Sequence, residues 1–171
     1  QDQALFKNWK IATFKNIKFR YSQSRDWVFN GANFSISRGE CIAVIGETGS
    51  GKTAAFIIPL INKILKEQDS NSREIKYIVL SPTRELAQQT HEVCKSIGKS
   101  LGITSSLLIG GENIQKQKES VSKKPHFLIA TPGRLKDLFQ QKILNFKTVK
   151  GVVLDEADRL LDMGFKDEIC F

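Results

Sequence analysis

A chain of 171 residues, 40% hydrophobic and 26% charged, has the size and make-up of one globular domain with a core of its own. Its apolar runs, such as Phe56 to Ile61, stop well short of the ~20 residues that span a bilayer, and Gln1 to Leu5 lacks the basic start of a signal peptide, so no membrane contact is expected. The formal charge of +8 suits a partner with a phosphate backbone without requiring one, and three scattered cysteines (Cys41, Cys94, Cys170) point to a reducing, cytoplasmic setting rather than a disulfide or zinc framework.

From Thr13 to Tyr21 the apolar Ile17, Phe19 and Tyr21 alternate with Lys18 and Arg20, the period of a half-buried strand. Phe34 and Ile36 repeat the pattern over Ala32–Ser37, and Arg38-Gly39-Glu40 marks a turn. Cys41–Ile45 is a short unbroken apolar run, as in a strand buried on both faces. After Gly46 the rhythm becomes strand, helix, strand, helix. Helices are expected at Lys52–Glu67, about Arg84–Ser100, Ile114–Ser120, from Pro132 towards Gln141, and from Ala157. A polar loop covers Lys66–Glu74, buried strands are expected at Tyr77–Leu80, Phe127–Ala130 and Val152–Leu154, and Leu107–Ile109 reads as strand-like. Such alternation predicts an α/β fold: a three-layer sandwich with a mainly parallel central sheet and a small antiparallel β flap at the N-terminus.

Gly46-Glu47-Thr48-Gly49-Ser50-Gly51-Lys52-Thr53 matches the P-loop pattern in full, between a predicted strand and a predicted helix. The glycines let successive backbone N–H groups turn inward around a phosphate, at the positive end of the following helix, which Ala54 continues. Lys52 is placed to reach the β- and γ-phosphates of ATP, and the Thr53 hydroxyl to ligate Mg²⁺. Val152-Val153-Leu154-Asp155-Glu156 supplies the complementary carboxylates, Asp155 on the magnesium side and Glu156 to orient or deprotonate water. The plainer alternative is that both acids cap the helix from Ala157.

From Thr48 to Phe171 the chain resembles the first RecA-like domain of a DEAD-box RNA helicase. The motifs run in family order: the P-loop, Pro82-Thr83-Arg84-Glu85-Leu86-Ala87-Gln88, Gly110-Gly111, Thr131-Pro132-Gly133-Arg134 and Asp155-Glu156-Ala157-Asp158, then Met163-Gly164-Phe165. The resemblance implies that Pro82 to Glu85, Gly110, Gly111 and Thr131 to Arg134 contact the sugar–phosphate backbone of single-stranded RNA. Taken alone, Arg84 and Arg134 would read as solvated surface charges. The resemblance also implies slow ATP hydrolysis at most, because that family's Ser-Ala-Thr segment and its second domain, with the arginine fingers, would lie beyond Phe171.

Residues 1–46 look different. No proline precedes Pro59, so the family's Pro-Thr-x-x-Gln adenine segment has no counterpart, and Gly46 stands where that family usually has alanine. Phe14 to Tyr21, Val28 to Gly31 and Phe34 to Glu40 resemble the start of an ABC-transporter nucleotide-binding domain, which implies that Tyr21 stacks on adenine. A packed core aromatic is the alternative for Tyr21. The expectation is thus one P-loop domain over 1–171, with an ABC-like β segment (1–46) joined to a DEAD-box core (47–171), a mosaic suggestive of a constructed fusion. An ABC-type ATPase half-site or a non-catalytic chimeric scaffold are the rival readings, although no Leu-Ser-Gly-Gly-Gln signature follows.

Overall fold

A computed structural model describes residues 11–19, 29–37, 51–66 and 74–162. The chain divides into two compact units, Gln1–Ala55 and Phe56–Phe171, each taken here by itself. In the first, strand β1 (Ile11–Phe19) pairs antiparallel with β2 (Phe29–Ser37), and Phe14 faces Phe34 across the ladder. Both strands begin earlier than the alternation predicts. The register shifts between Phe14 and Ile17, where Asn16 takes a left-handed φ of 52° and its N–H bonds the Asn33 side chain at 2.9 Å. A bulge of this kind offsets the period on which the predicted limits rest. Tyr21 and Cys41–Ile45 lie outside the described residues.

The second unit is built on four parallel strands in the order β4-β5-β3-β6: β3 (Tyr77–Leu80), β4 (Ser105–Leu108), β5 (Phe127–Ala130) and β6 (Gly151–Leu154). Helices α2 (Arg84–Gly98), α3 (Ile114–Ser122) and α4 (Pro132–Gln140) make the crossovers. Helix α1 (Lys52–Lys66) precedes the sheet and α5 (Ala157–Asp162) follows β6. The two faces of β3 and of β5 belong to different cores. Tyr77, Val79, Phe127 and Ile129 pack with Ile57, Ile61 and Ile64 of α1 and Ala87 and Cys94 of α2. Ile78, Leu80, Leu128 and Ala130 pack with Val121, Leu135, Leu138 and Leu160. Strands buried on both faces explain why β3 and β5 read as unbroken apolar runs. The α/β fold with a parallel central sheet is therefore as predicted.

Several expectations need correction. β4 begins at Ser105 and stops at Leu108, short of Ile109, because its ladder with β5 runs from Ser105–Phe127 to Leu108–Ala130. Ser106, buried in that strand, is satisfied by the backbone and hydroxyl of Ser120. β6 is not a buried strand: Val152 is 54% and Leu154 43% exposed. Among the described strands, β6 pairs with β3 alone. Helix α2 ends at Gly98 and continues as a 3₁₀ turn over Lys99–Leu101, whereas α3 runs on to Ser122. Helix α4 ends at Gln140, and the predicted end of α1 at Glu67 lies outside the described residues.

Candidate nucleotide and nucleic-acid sites

In open parallel sheets, ligand sites form at the carboxyl ends of the strands, where loops lead into helix N-termini. At that end of β3, β5 and β4 lies a cleft of about 540 Å³. It is lined by Pro82, Thr83, Arg84 and Glu85 after β3, Gly110 after β4, and Thr131, Pro132, Gly133, Arg134 and Asp137 after β5. Segments some fifty residues apart in the chain thus meet on one surface. Of the predicted backbone contacts, Gly111 alone is off the lining, and Asp137 is on it without having been anticipated.

Each segment is held by local chemistry. Thr83 caps α2, its hydroxyl accepting from Leu86 N–H at 3.2 Å. Thr131 caps α4 with no side-chain bond, and Pro132 opens that helix, where a missing N–H costs nothing. α4 has no acidic residue in its first turn, whereas α2 has Glu85. Asn113 caps α3 by accepting from Gln115 and Lys116. The Gly110-Gly111 turn is tied to both flanking arginines. Arg84 reaches Gly110 O at 3.5 Å, and Arg134 reaches Glu112 O at 3.5 Å, both at the long limit of a hydrogen bond. Gly111 has φ 77°, and a Cβ there would run into the Arg84 guanidinium. Glycine answers both demands.

The two arginines differ. Arg84 is exposed, as a solvated charge would be. The Arg134 side chain is only 14% exposed and is held by Gln117 Oε1 at 3.0 Å and more loosely by Asp137 at 3.7 Å. Neither Gln117 nor Asp137 was anticipated. Asp137 could have been found from its i,i+3 spacing to Arg134 on a predicted helix, while nothing in the sequence singles out Gln117. The lining carries two arginines, Arg84 and Arg134, and two acids, Glu85 and Asp137, so its side-chain charges balance in number. The backbone N–H groups at the starts of α2 and α4 add to the guanidinium donors for an anion.

Of the predicted nucleotide residues, Gly51, Lys52, Thr53 and Ala54 are described, while Gly46, Glu47, Thr48, Gly49 and Ser50 lie outside the described residues, as does Tyr21. Gly51 takes φ 85°, and Lys52 and Thr53 form the first turn of α1, which carries no acidic residue. Ala54 is fully buried. At the carboxyl end of β6, Asp155 is 7% exposed, and its Oδ2 accepts from the Thr90 hydroxyl at 3.3 Å. Glu156 holds a left-handed φ of 50°, a strained state for a glutamate, and pairs with Arg159 at 3.4 Å. Its carbonyl accepts from Leu160 N–H, so the capping alternative holds for the Glu156 backbone and not for the Asp155 side chain. Taken separately, the acid-free start of α1 suits a polyphosphate, and the Asp155 carboxylate is a hard oxygen donor of the kind Mg²⁺ takes, so each fits Mg-ATP by its own chemistry. Among the described residues no three His, Cys, Asp or Glu side chains gather as a metal cluster, and no helix is long and apolar enough to cross a membrane.

Residues 32–170 match the DEAD/DEAH box helicase family. The chain belongs to that family. It is 46% identical over 128 residues to the ATP-dependent rRNA helicase RRP3 of Candida glabrata, covering 74% of this chain and 25% of that protein. Among solved structures it is similar to the yeast DEAD-box splicing factor Prp28, with a TM-score of 0.66 and 34% identity over 73% of this chain and 30% of that one. A hypothetical ATP-dependent RNA helicase from Sulfolobus tokodaii gives a TM-score of 0.63 and 34% identity, over 72% and 34% of the two chains. The chain spans about a quarter of the length of the curated relatives it matches. The family match begins before the P-loop, so residues 32–46 fall within it. The comparisons lend no support to an ABC-type segment over 1–46 or to a fused chain.

Proposed function

We propose that this chain is the first RecA-like domain of a DEAD-box RNA helicase, binding Mg-ATP at its P-loop and single-stranded RNA by the sugar–phosphate backbone. The observation that carries the RNA half is the cleft of Thr83–Glu85, Gly110 and Thr131–Arg134, which joins two helix N-termini to two arginines at the carboxyl end of the sheet. Backbone N–H groups and guanidinium donors address phosphate and sugar, so the cleft carries affinity without sequence preference. Because the lining carboxylates offset the arginines, that affinity is weak.

For the nucleotide, Lys52 would neutralise the β- and γ-phosphates, with Thr53 and Asp155 as oxygen ligands on the magnesium side. Bound there, ATP supplies a phosphoryl group for transfer to water. Thr90 holds the Asp155 carboxylate from below. Glu156 would orient the water, for which its exposed pair with Arg159 must open, a small cost for a surface ion pair. Tyr21 is assigned the adenine contact on the sequence alone. Loss of base stacking in Tyr21→Ala would weaken ATP binding by roughly 5- to 150-fold, from ~1–3 kcal/mol of stacking.

Calorimetry with Mg-ATP and anisotropy titration with labelled oligouridylate test the reading together. Lys52→Ala should lose nucleotide binding and keep the parent's thermal unfolding. RNA affinity should fall steeply with salt. Tight Mg-ATP binding by Lys52→Ala, or an RNA affinity indifferent to salt, would overturn it.

A further inference from the structure

We propose that Gln117 is a positioning residue for RNA binding, locking Arg134 against the end of β4 so that its guanidinium is already aimed when a strand arrives; this rests on the RNA reading of the cleft. Gln117 lies on α3, is 6% exposed, and does not line the cleft itself. Both ends of its amide are used. Nε2 donates to Ile109 O at 2.9 Å, and Oε1 accepts from Arg134 Nη1 at 3.0 Å. The chemistry allows only this orientation. Reversed, the amide would set N–H against guanidinium N–H and oxygen against a carbonyl.

The bond to Gln117 lies within the ordinary N–H···O range, whereas the ties from Arg134 to Glu112 O (3.5 Å) and Asp137 (3.7 Å) are loose. Ile109 O is the last carbonyl before the Gly110-Gly111 turn, so a single buried side chain links that turn to the first turn of α4. An arginine left to itself explores many rotamers and loses that freedom on binding. Gln117 removes most of that freedom in advance while leaving the rest of the guanidinium fork for a phosphate oxygen.

The test uses the full chain as parent, Gln117→Met, Gln117→Glu, Arg134→Ala and the Gln117→Met/Arg134→Ala pair. Affinity for fluorescein-labelled oligouridylate is read over a salt series, and ¹⁵N relaxation of the Arg134 Nε–H is read without RNA. Gln117→Met keeps the length of the side chain and removes both polar ends. It should weaken RNA binding by about three- to tenfold, as expected for a misplaced charge-assisted contact. The slope of log affinity against log salt should drop by about 0.7, the increment for one phosphate on a single strand. In the Arg134→Ala background it should add nothing further. Without RNA, Gln117→Met should loosen the Arg134 Nε–H, and Gln117→Glu, which keeps an acceptor for the guanidinium but sets an oxygen against Ile109 O, should loosen it less. An Arg134 signal unmoved by Gln117→Met, or losses that simply add in the double variant, overturns the positioning role. Unchanged RNA binding by Arg134→Ala overturns the RNA reading of the cleft, and this role in RNA binding with it. Should Gln117→Met fail to fold, an Arg134 Nε–H in the parent as mobile as that of exposed Arg84 overturns the proposal by itself.

Discussion

Thr90→Val isolates one buried bond beneath the Asp155 carboxylate. Thr90 is fully buried in α2, and its hydroxyl donates to Asp155 Oδ2 at 3.3 Å, across 65 residues of chain. Valine keeps the shape and replaces the hydroxyl by a methyl group, so no cavity opens. A hydrogen bond to a charged group contributes about 1.5–3 kcal/mol, and a separation longer than the usual O–H···O range favours the lower part of that interval. Asp155 has further interactions, so it is not stranded when the hydroxyl goes. Burying a methyl in place of a hydroxyl returns a few tenths of a kcal/mol. The net loss is about 1–2 kcal/mol, or roughly 2–8 °C in Tm at the 2–4 °C per kcal/mol expected for a chain of this size. Urea and thermal unfolding of parent, Thr90→Val, Asp155→Ala and the double variant give the coupling directly. If Thr90→Val costs as much in the Asp155→Ala background as in the parent, the bond contributes nothing. Mg-ATP affinity should also fall in Thr90→Val if a fixed Asp155 matters on the magnesium side.

Two further outcomes follow from buried titrating groups in α2. Burial lowers the pKa of His91 below its ordinary 6.5, against the opposing pull of its bond to Ser105 O at 3.4 Å. The unfolded chain therefore takes up that proton first, so the stabilisation is complete above 6.5 and is lost as pH falls through the lowered folded value. Unfolding free energy measured over that acid range should rise less with pH in His91→Gln than in the parent. Burial also raises the Cys94 thiol to about 11, so at neutral pH it is a thiol with almost no thiolate. Mass spectrometry should find Cys94 unalkylated by iodoacetamide in the folded chain and modified promptly in denaturant.

The limits of β3 and β5 were legible because a strand buried on both faces must be apolar throughout, and Tyr77–Leu80 and Phe127–Ala130 are unbroken runs. Helices α1 to α4 were legible because their buried residues recur at helical spacing, as Ile57, Ile61 and Ile64 do. The start of α4 was legible through a local signal as well, the proline that opens it, whereas the Thr83 cap of α2 emerged only in the structure. The aromatic alternation before the P-loop did report a β ladder, in which Phe14 stands opposite Phe34, and a two-stranded ladder is common to many families.

What the tertiary structure alone decided depends on partners distant in sequence. Ser106 enters β4 because Ser120 satisfies it, and Val152 and Leu154 are exposed because their face of β6 joins neither core. Gln117 carries no local signature, since a glutamine on a helix is ordinarily solvated. Its position between Ile109 O and Arg134 exists only once β4, α3 and α4 have packed. Composition and periodicity act over a few residues and so determine which elements form. Which polar atoms find each other across the sheet is settled by the strand order β4-β5-β3-β6, and periodicity along the chain holds no record of it.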